Sequence, residues 1–385
     1  GLIVTHAHED HLGALPYLWE KLGCPVYATP FAAAVLRYKT RNRGGVLPSP
    51  LIEIEPGSTL SIGPFSLEWI PITHSTPETC ALAIRTPDSC IVHTADWKID
   101  DEPMVGAAWS ARRFEALGKE GVDAVICDST NALRAGRSPS EGAVARELGK
   151  VIEGCQGRVV VGCFSSNIAR IQTLSSIAAK NKRYFAILGR SASGMARCAQ
   201  QVGLLESQFQ PIYPEHLGYL PPSEVLAVAT GSQGEWGAAL YRLMMQTHPD
   251  LSLDAGDTVI LSSKTIPGNE QSLKQLVQGL RARGIEVVEA EESQTPLHAS
   301  GHPCQDELSD LYQILKPALV IPVHGEPIHM KENARLAKEA GAMATFTGEN
   351  GDLFYLSPTP GVRRRFAPMG RLQWCEDTSR LISVT

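Results

Sequence analysis

The sequence predicts an α/β protein built in two unlike parts, and three patterns in its 385 residues carry that reading. Short apolar runs separated by Gly and Pro fill 51–92 and read as antiparallel strands. From about 138 to 283, strand-like and helix-like segments alternate regularly, which predicts a parallel, doubly wound sheet. From 284 the single strands and helices of the first part return and close it, up to about 356.

The first run, Leu2-Ile3-Val4, reads as a strand that empties into Thr5-His6-Ala7-His8-Glu9-Asp10-His11. His6 and His8 alternate in an extended backbone and so point the same way. Asp10 and His11 leave at the turn into a helix reaching residue 22, with Leu12, Leu15, Leu18 and Leu22 on one side. Imidazole and carboxylate are ligands for zinc and related divalent ions, and this one turn carries enough of them to serve two. A strand at 25–28 follows, then a helix opened by Pro30, a position Pro tolerates.

In 51–92 the runs Ile52-Glu53-Ile54, Phe65-Ser66-Leu67-Glu68-Trp69-Ile70 and Cys80-Ala81-Leu82-Ala83-Ile84 nearly alternate. His74 and Asp96 each come just past an apolar run, where a ligand at a sheet edge belongs. Asp128 closes the buried run Ala124-Val125-Ile126-Cys127 and opens Asp128-Ser129-Thr130-Asn131.

The alternating block has strands at 158–162, 184–188, 225–229 and 257–261. Its helices are expected at 141–153, 167–180, 191–202, 235–246 and 269–283. Ser140 caps the first helix, and Glu141 suits its positive end. The turns Cys163-Phe164-Ser165-Ser166-Asn167, Thr230-Gly231-Ser232-Gln233-Gly234 and Ser262-Ser263-Lys264 are small and polar. Three such turns at carboxyl ends of parallel strands favour a phosphate-bearing ligand. The closing part holds a strand at 285–288, Pro296-Leu297-His298-Ala299-Ser300-Gly301-His302, and a helix at 304–315. A strand at 318–321 then runs into Pro322-Val323-His324-Gly325-Glu326, before a helix at 327–340 and a strand at 352–355. Residues 357–385, rich in Pro, Gly and Arg, read as a linker or tail.

Hydrophobic residues make up 43% and charged residues 20%, the balance of a soluble globular chain. A net charge of −6 gives no global sign of a nucleic-acid partner, though a basic groove can sit on an acidic protein. Nine cysteines without a C-x-x-C pair point to reduced thiols in a cytoplasmic protein. Nothing in the sequence reads as a signal peptide or as a run able to span a membrane, so neither is expected. The chain lacks an initiator Met and opens inside a strand, so it is expected to be a fragment.

His6, His8, Asp10, His11, His74 and Asp96 resemble the metal motifs of the metallo-β-lactamase fold. Asp128, His302 in His-Ala-Ser-Gly-His and His324 in Pro-Val-His-Gly-Glu are similar to the three further motifs of the β-CASP nucleases. Thr230-Gly231-Ser232-Gln233-Gly234-Glu235 and Ile266-Pro267-Gly268-Asn269-Glu270 resemble ribonuclease J. The resemblance spans residues 1 to about 356. It departs at the start, where the family's opening strands and first acidic motif are missing, and at the end, where its C-terminal domain is absent or reduced to the tail.

The resemblance implies an αββα sandwich over 1–137 and 284–356, with a β-CASP domain inserted at 138–283. It implies that His6, His8 and His74 hold one divalent ion, that Asp10, His11 and His324 hold another, and that Asp96 bridges them. Zinc is the expected metal, with manganese or magnesium as alternatives. Two such ions about 3.5–4 Å apart activate hydroxide and clamp a phosphodiester. Asp128, His302 and Asp96 are the expected catalytic residues, Asp128 by orienting a histidine or the water and His302 by stabilising charge or assisting the leaving oxygen.

His298, Ser300, Gly301 and His302, with Ser165, Ser166 and Asn167, resemble a pocket for a nucleotide phosphate. The implied substrate is single-stranded RNA with a 5′-monophosphate, cut from its 5′ end and possible internally, by a homodimer or homotetramer. Rival readings are a DNA-repair nuclease, a small-ester hydrolase without need of the inserted block, and an inactive RNA-binding subunit of a processing complex. His93, His216, His248 and His329 receive no role.

Overall fold

The computed structural model describes residues 1–45, 47, 50–356, 359–375 and 380–384. Leu2–Val4, Val26–Ala28 and Leu51–Glu53 form a three-stranded parallel sheet. A seven-stranded sheet faces it, in the order Ala344–Thr345, Leu319–Val323, Ala124–Asp128, Ser89–His93, Cys80–Thr86, Phe65–Pro71 and Thr59–Ile62. Between them Ile3, Tyr27 and Ile52 pack on Leu67, Trp69 and Leu82. The helices Leu15–Leu22 and Pro30–Asn42 cover the small sheet with Trp19, Phe31 and Val35. Arg112–Glu120, Gln305–Leu315 and Pro327–Glu339 cover the large one with residues such as Phe114, Leu308 and Leu336. The layers are therefore α, β, β and α, each sheet burying both faces as such layering requires.

Two expectations for this part change. The run at 52–54 is not antiparallel: Leu51–Glu53 pairs parallel to Val26–Ala28, because it belongs to the small sheet. The helix expected up to residue 22 is broken into Glu9–Leu12 and Leu15–Leu22. Gly13 and Pro16 explain the break, since Pro lacks the N–H that would continue the first helix and suits the first turn of the second.

The inserted block is a five-stranded, wholly parallel sheet ordered Tyr184–Leu188, Val225–Ala229, Val159–Gly162, Thr258–Leu261 and Glu286–Glu289. Alternate residues face opposite layers. Val159 and Val161 pack with Leu148, Ile171 and Ala199 from helices on one side. Val160 packs with Leu240, Leu276 and Leu280 on the other. The strand expected to open the closing part lies here instead: Glu286–Glu289 extends this sheet past residue 283. The helix expected over 235–246 shrinks to Ala239–Met244, because Gly234 and Gly237 at φ 76° and 75° hold the preceding segment in a turn.

The tail also differs from a linker. Gly361–Arg363 pairs with Leu353–Tyr355, and Arg371–Cys375 pairs with Arg380–Val384. Trp374 packs edge-on to Tyr17 at 5.0 Å, which docks the last hairpin on the first helical layer. Ser357, where the tail was expected to start, lies outside the described residues.

Candidate metal centre

Strand direction collects the predicted ligands. Phe65–Pro71, Ser89–His93, Ala124–Asp128 and Leu319–Val323 run the same way in the large sheet, so their carboxyl ends share one edge. His74, Asp96, Asp128 and His324 all leave from that edge. His6 and His8 meet them from the end of Leu2–Val4, and Asp10 and His11 from the short helix Glu9–Leu12. Ala95 and His324 hold left-handed φ values of 53° and 54°, which non-glycine residues rarely adopt. Such backbone persists where its surroundings enforce it, and here it aims Asp96 and His324 inward.

Three overlapping groups could each hold an ion, the third being Asp96, Asp128, His302 and His324, and two of them match the expected sets. His6, His8, His74 and Asp96 offer atoms within 4.8 Å of one another, and so do Asp10, His11, Asp96 and His324. Asp96 Oδ2 is common to both. It lies 3.6 Å from His6 Nε2, 3.2 Å from His11 Nε2, 3.9 Å from His74 Nε2 and 3.5 Å from His324 Nε2. His74 Nε2 and His8 Nδ1 approach to 2.9 Å. His6 Nε2 and His11 Nε2 are buried without a hydrogen-bond partner. Buried polar atoms are normally satisfied, and converging imidazole nitrogens around one carboxylate oxygen are what a pair of divalent ions would satisfy. The residues present fit that group, and the chain is a divalent-metal binder.

An outer ring of hydrogen bonds surrounds these side chains. His74 Nδ1 donates to the Gly301 carbonyl at 2.5 Å, which leaves Nε2 for the centre. Thr130 Oγ1 lies 2.8 Å from His324 Nδ1 and donates to Asp128 Oδ1 at 2.8 Å. His302 Nδ1 donates to Asp128 Oδ2 at 2.7 Å. Burial opposes ionisation of Asp128, yet the His302 and His324 imidazoles hold it below the usual carboxylate range. Burial likewise opposes charge on His302, but Asp128 outweighs it and raises His302 above its ordinary value.

The predicted phosphate residues fall in two neighbourhoods joined by the segment 298–302. Ser300 Oγ accepts from Asn131 Nδ2 at 2.7 Å, beside His302. Gly301 has a second contact the sequence reading lacked, its carbonyl on His74. Farther along, Asn167 is spent partly as a helix cap, accepting from the Arg170 amide at 2.8 Å, and Ser165 Oγ accepts from Ser191 Oγ at 2.9 Å. Ser166 sits between them at half-buried exposure. Arg170 donates to Ser262 Oγ and to the Leu297 carbonyl, which ties this turn to His298. Burial, with Arg170 close by, pulls His298 down to about 4.

Sequence reasoning missed several groups. Thr130 and Asn131 stood inside a quoted motif without a role. Glu141, read as a partner for the helix end, is buried and accepts from Arg170 at 2.8 Å. Lys98 and Asp100 pair at 2.7 Å in the same interior, and Asp100 accepts from the Glu141 amide at 3.0 Å. Periodicity gives no signal for charges buried where two halves meet.

Comparison with known proteins gives a consistent picture. Residues 1–115 match the family described as metallo-beta-lactamase superfamily. Residues 156–280 match the beta-CASP domain of ribonuclease J, and 287–347 match the Zn-dependent metallo-hydrolase RNA specificity domain. The chain is 41% identical over 371 residues to ribonuclease J of Sinorhizobium meliloti, covering 96% of this chain and 65% of that one. It is 37% identical to ribonuclease J 1 of Streptococcus pyogenes, covering 92% and 64%, and 37% identical to ribonuclease J of Thermus thermophilus, covering 92% and 63%. The chain thus spans just under two thirds of these relatives. A solved protein of unknown function from Enterococcus faecalis V583 superposes with a TM-score of 0.59 at 17% identity, over 90% of this chain and 79% of its own, a likeness of fold alone. Among the described residues no helix is long and apolar enough to cross a membrane.

Proposed function

The chain belongs to the ribonuclease J family of β-CASP proteins within the metallo-β-lactamase superfamily, and on that premise we propose that it hydrolyses phosphodiesters of single-stranded RNA. The observation that carries this is Asp96 Oδ2 within 3.2–3.9 Å of four imidazole nitrogens, beside the Asp128–His302 pair. His6, His8 and His74 would hold one ion, Asp10, His11 and His324 the other, with Asp96 shared; zinc suits the imidazole-rich set. Two divalent ions bound there supply Lewis acidity and a nucleophile at neutral pH.

The chain's own residues do the rest. Thr130 and Gly301 fix the tautomers of His324 and His74. Asp128 favours the proton on His302, and His302, with Nδ1 committed to that carboxylate, presents Nε2 for donation to the phosphate or the departing 3′ oxygen. His298, Ser300, Gly301, Ser165, Ser166 and Asn167 would receive a 5′-terminal monophosphate. That favours stepwise removal of nucleotides from the 5′ end. We assign the protein to the cytoplasm, where its thiols stay reduced.

The test is to incubate the chain with divalent metal and RNA bearing a 5′-monophosphate or 5′-triphosphate, and with matching DNA. Release of mononucleotides from the monophosphorylated RNA, with slow attack on the other two, is expected. No cleavage of RNA, or equal cleavage of DNA, contradicts the proposal.

A further inference from the structure

Asp128 and His302 belong to neither expected ion set, yet with Asp96 and His324 they offer ligand atoms within 4.8 Å of one another. Two imidazoles and two carboxylates at that spacing suit a four-coordinate divalent ion of the borderline class. Asp96 and His324 also belong to the group of Asp10 and His11, so this group lies directly against the proposed two-ion centre.

Its carboxylates differ from the other buried ones. Asp100 is neutralised by Lys98 at 2.7 Å and Glu141 by Arg170 at 2.8 Å. Asp96 and Asp128 pair only with imidazoles, and among the described residues neither has a Lys or Arg within ion-pair distance. Buried charges are either paired or coordinate metals.

Asp128 also has capacity left. Its Oδ1 accepts from the Thr130 amide at 2.9 Å and from the Thr130 hydroxyl at 2.8 Å. Among the described residues, Oδ2 accepts only from His302 Nδ1, at 2.7 Å. A carboxylate oxygen has a second lone pair beside such a bond. The approach is open to solvent, since the His302 side chain is 20% exposed and that of His324 32%. The two rings stack with centroids 5.5 Å apart.

We propose that divalent metal in excess of two ions per chain binds at Asp128 and His302, shares Asp96 or His324 with the neighbouring ion, and stops hydrolysis. An ion on His302 Nε2 occupies the place of the transferable proton, which passes to solvent. An ion on Nδ1 breaks the bond to Asp128. Either way the departing oxygen loses its proton donor. The effect on turnover rests on the ribonuclease reading; the binding of the further ion does not. Imidazole suits zinc better than magnesium or manganese, so zinc should block at the lowest free concentration of the three.

The test loads the stripped full chain with zinc at rising, buffered free concentrations. Bound metal is counted by native mass spectrometry without RNA, and cutting of 5′-monophosphorylated RNA is followed in parallel. Activity should peak at two ions and fall about 100-fold as the third binds. Chelation that removes only the third ion should restore it. His302→Ala and Asp128→Asn, each checked for folding by circular dichroism, should hold two ions and refuse the third over the same zinc range. A count that never passes two, full activity with three ions bound, or a third ion held equally well by either folded variant overturns the proposal. Failure of the ribonuclease reading would show separately, as RNA left uncut at every loading while the third ion is still counted.

Discussion

His302 Nδ1 and Asp128 Oδ2 lie 2.7 Å apart, and Oδ1 of the same buried carboxylate takes the Thr130 hydroxyl that meets His324. One carboxylate thus governs both a ligand histidine and the proposed proton donor. Asp128→Asn keeps the volume but removes the charge, and kcat should fall about 100-fold or more. Asp128 raises His302, and a donor works only while protonated. The alkaline limb of the kcat profile should therefore move to lower pH in the variant. An unmoved limb would remove Asp128 from this role.

Gly301→Ala tests the ring around His74. A Cβ there would lie 2.5 Å from Ser75 Oγ and 2.6 Å from His74 Cε1 and Nδ1, so the ring or the 300–302 segment must shift. Metal content, measured by mass spectrometry, should drop toward one ion per chain, with kcat down about 100-fold. Full metal content with normal turnover would show that Gly301 does not position His74.

The two ligand groups differ in proton affinity. Burial lowers His8 to about 4 and carries His6 and His74 well below their ordinary value. Burial also pulls on His11, but Asp10 and Asp96 lift it to about 9; Asp10 and Asp128 lift His324 to about 11. Of the five histidines in these two groups, only His11 and His324 should hold a second proton at pH 7 in the metal-free chain. The ion at those residues must displace two protons, so its affinity should fall about 100-fold per pH unit as pH drops below about 9. The ion at His6, His8 and His74 should bind almost independently of pH between 6 and 8. Calorimetric zinc titration of stripped protein in buffers of different ionisation enthalpy counts the protons, and equal release at both sites contradicts the assignment.

His298 links pH to stability. It is half-buried near Arg170, Glu141 and Lys98 and sits at about 4 folded, against about 6.5 unfolded. Between those values the unfolded chain binds a proton that the folded chain refuses, so stability falls as pH drops from 6.5 and levels off near 4. Urea unfolding at pH 7 and pH 5 should show a loss that His298→Gln reduces by about 2 kcal/mol. An equal loss in both proteins would place His298 in contact with water.

The candidate site was legible because polar residues at strand ends leave a local trace: an apolar run followed by His74, Asp96, Asp128 or His324. The parallel block was legible from its alternation. What escaped depends on long-range contact. Leu51–Glu53 and Glu286–Glu289 look like other short strands, and only their partners decide which sheet takes them. Gly301 needed the approach of His74 from 227 residues away. The interior set of Lys98, Asp100, Glu141 and Arg170 forms only where the halves meet.

The central claim is that Asp96 joins two ions into one hydrolytic centre for RNA. Stripped protein should be titrated with zinc or manganese while hydrolysis of 5′-monophosphorylated RNA is followed and bound metal is counted. Activity should rise only as occupancy passes from one to two ions per chain, and Asp96→Ala should neither reach two nor cut RNA. Full activity at one ion or fewer, or in Asp96→Ala, would contradict the account.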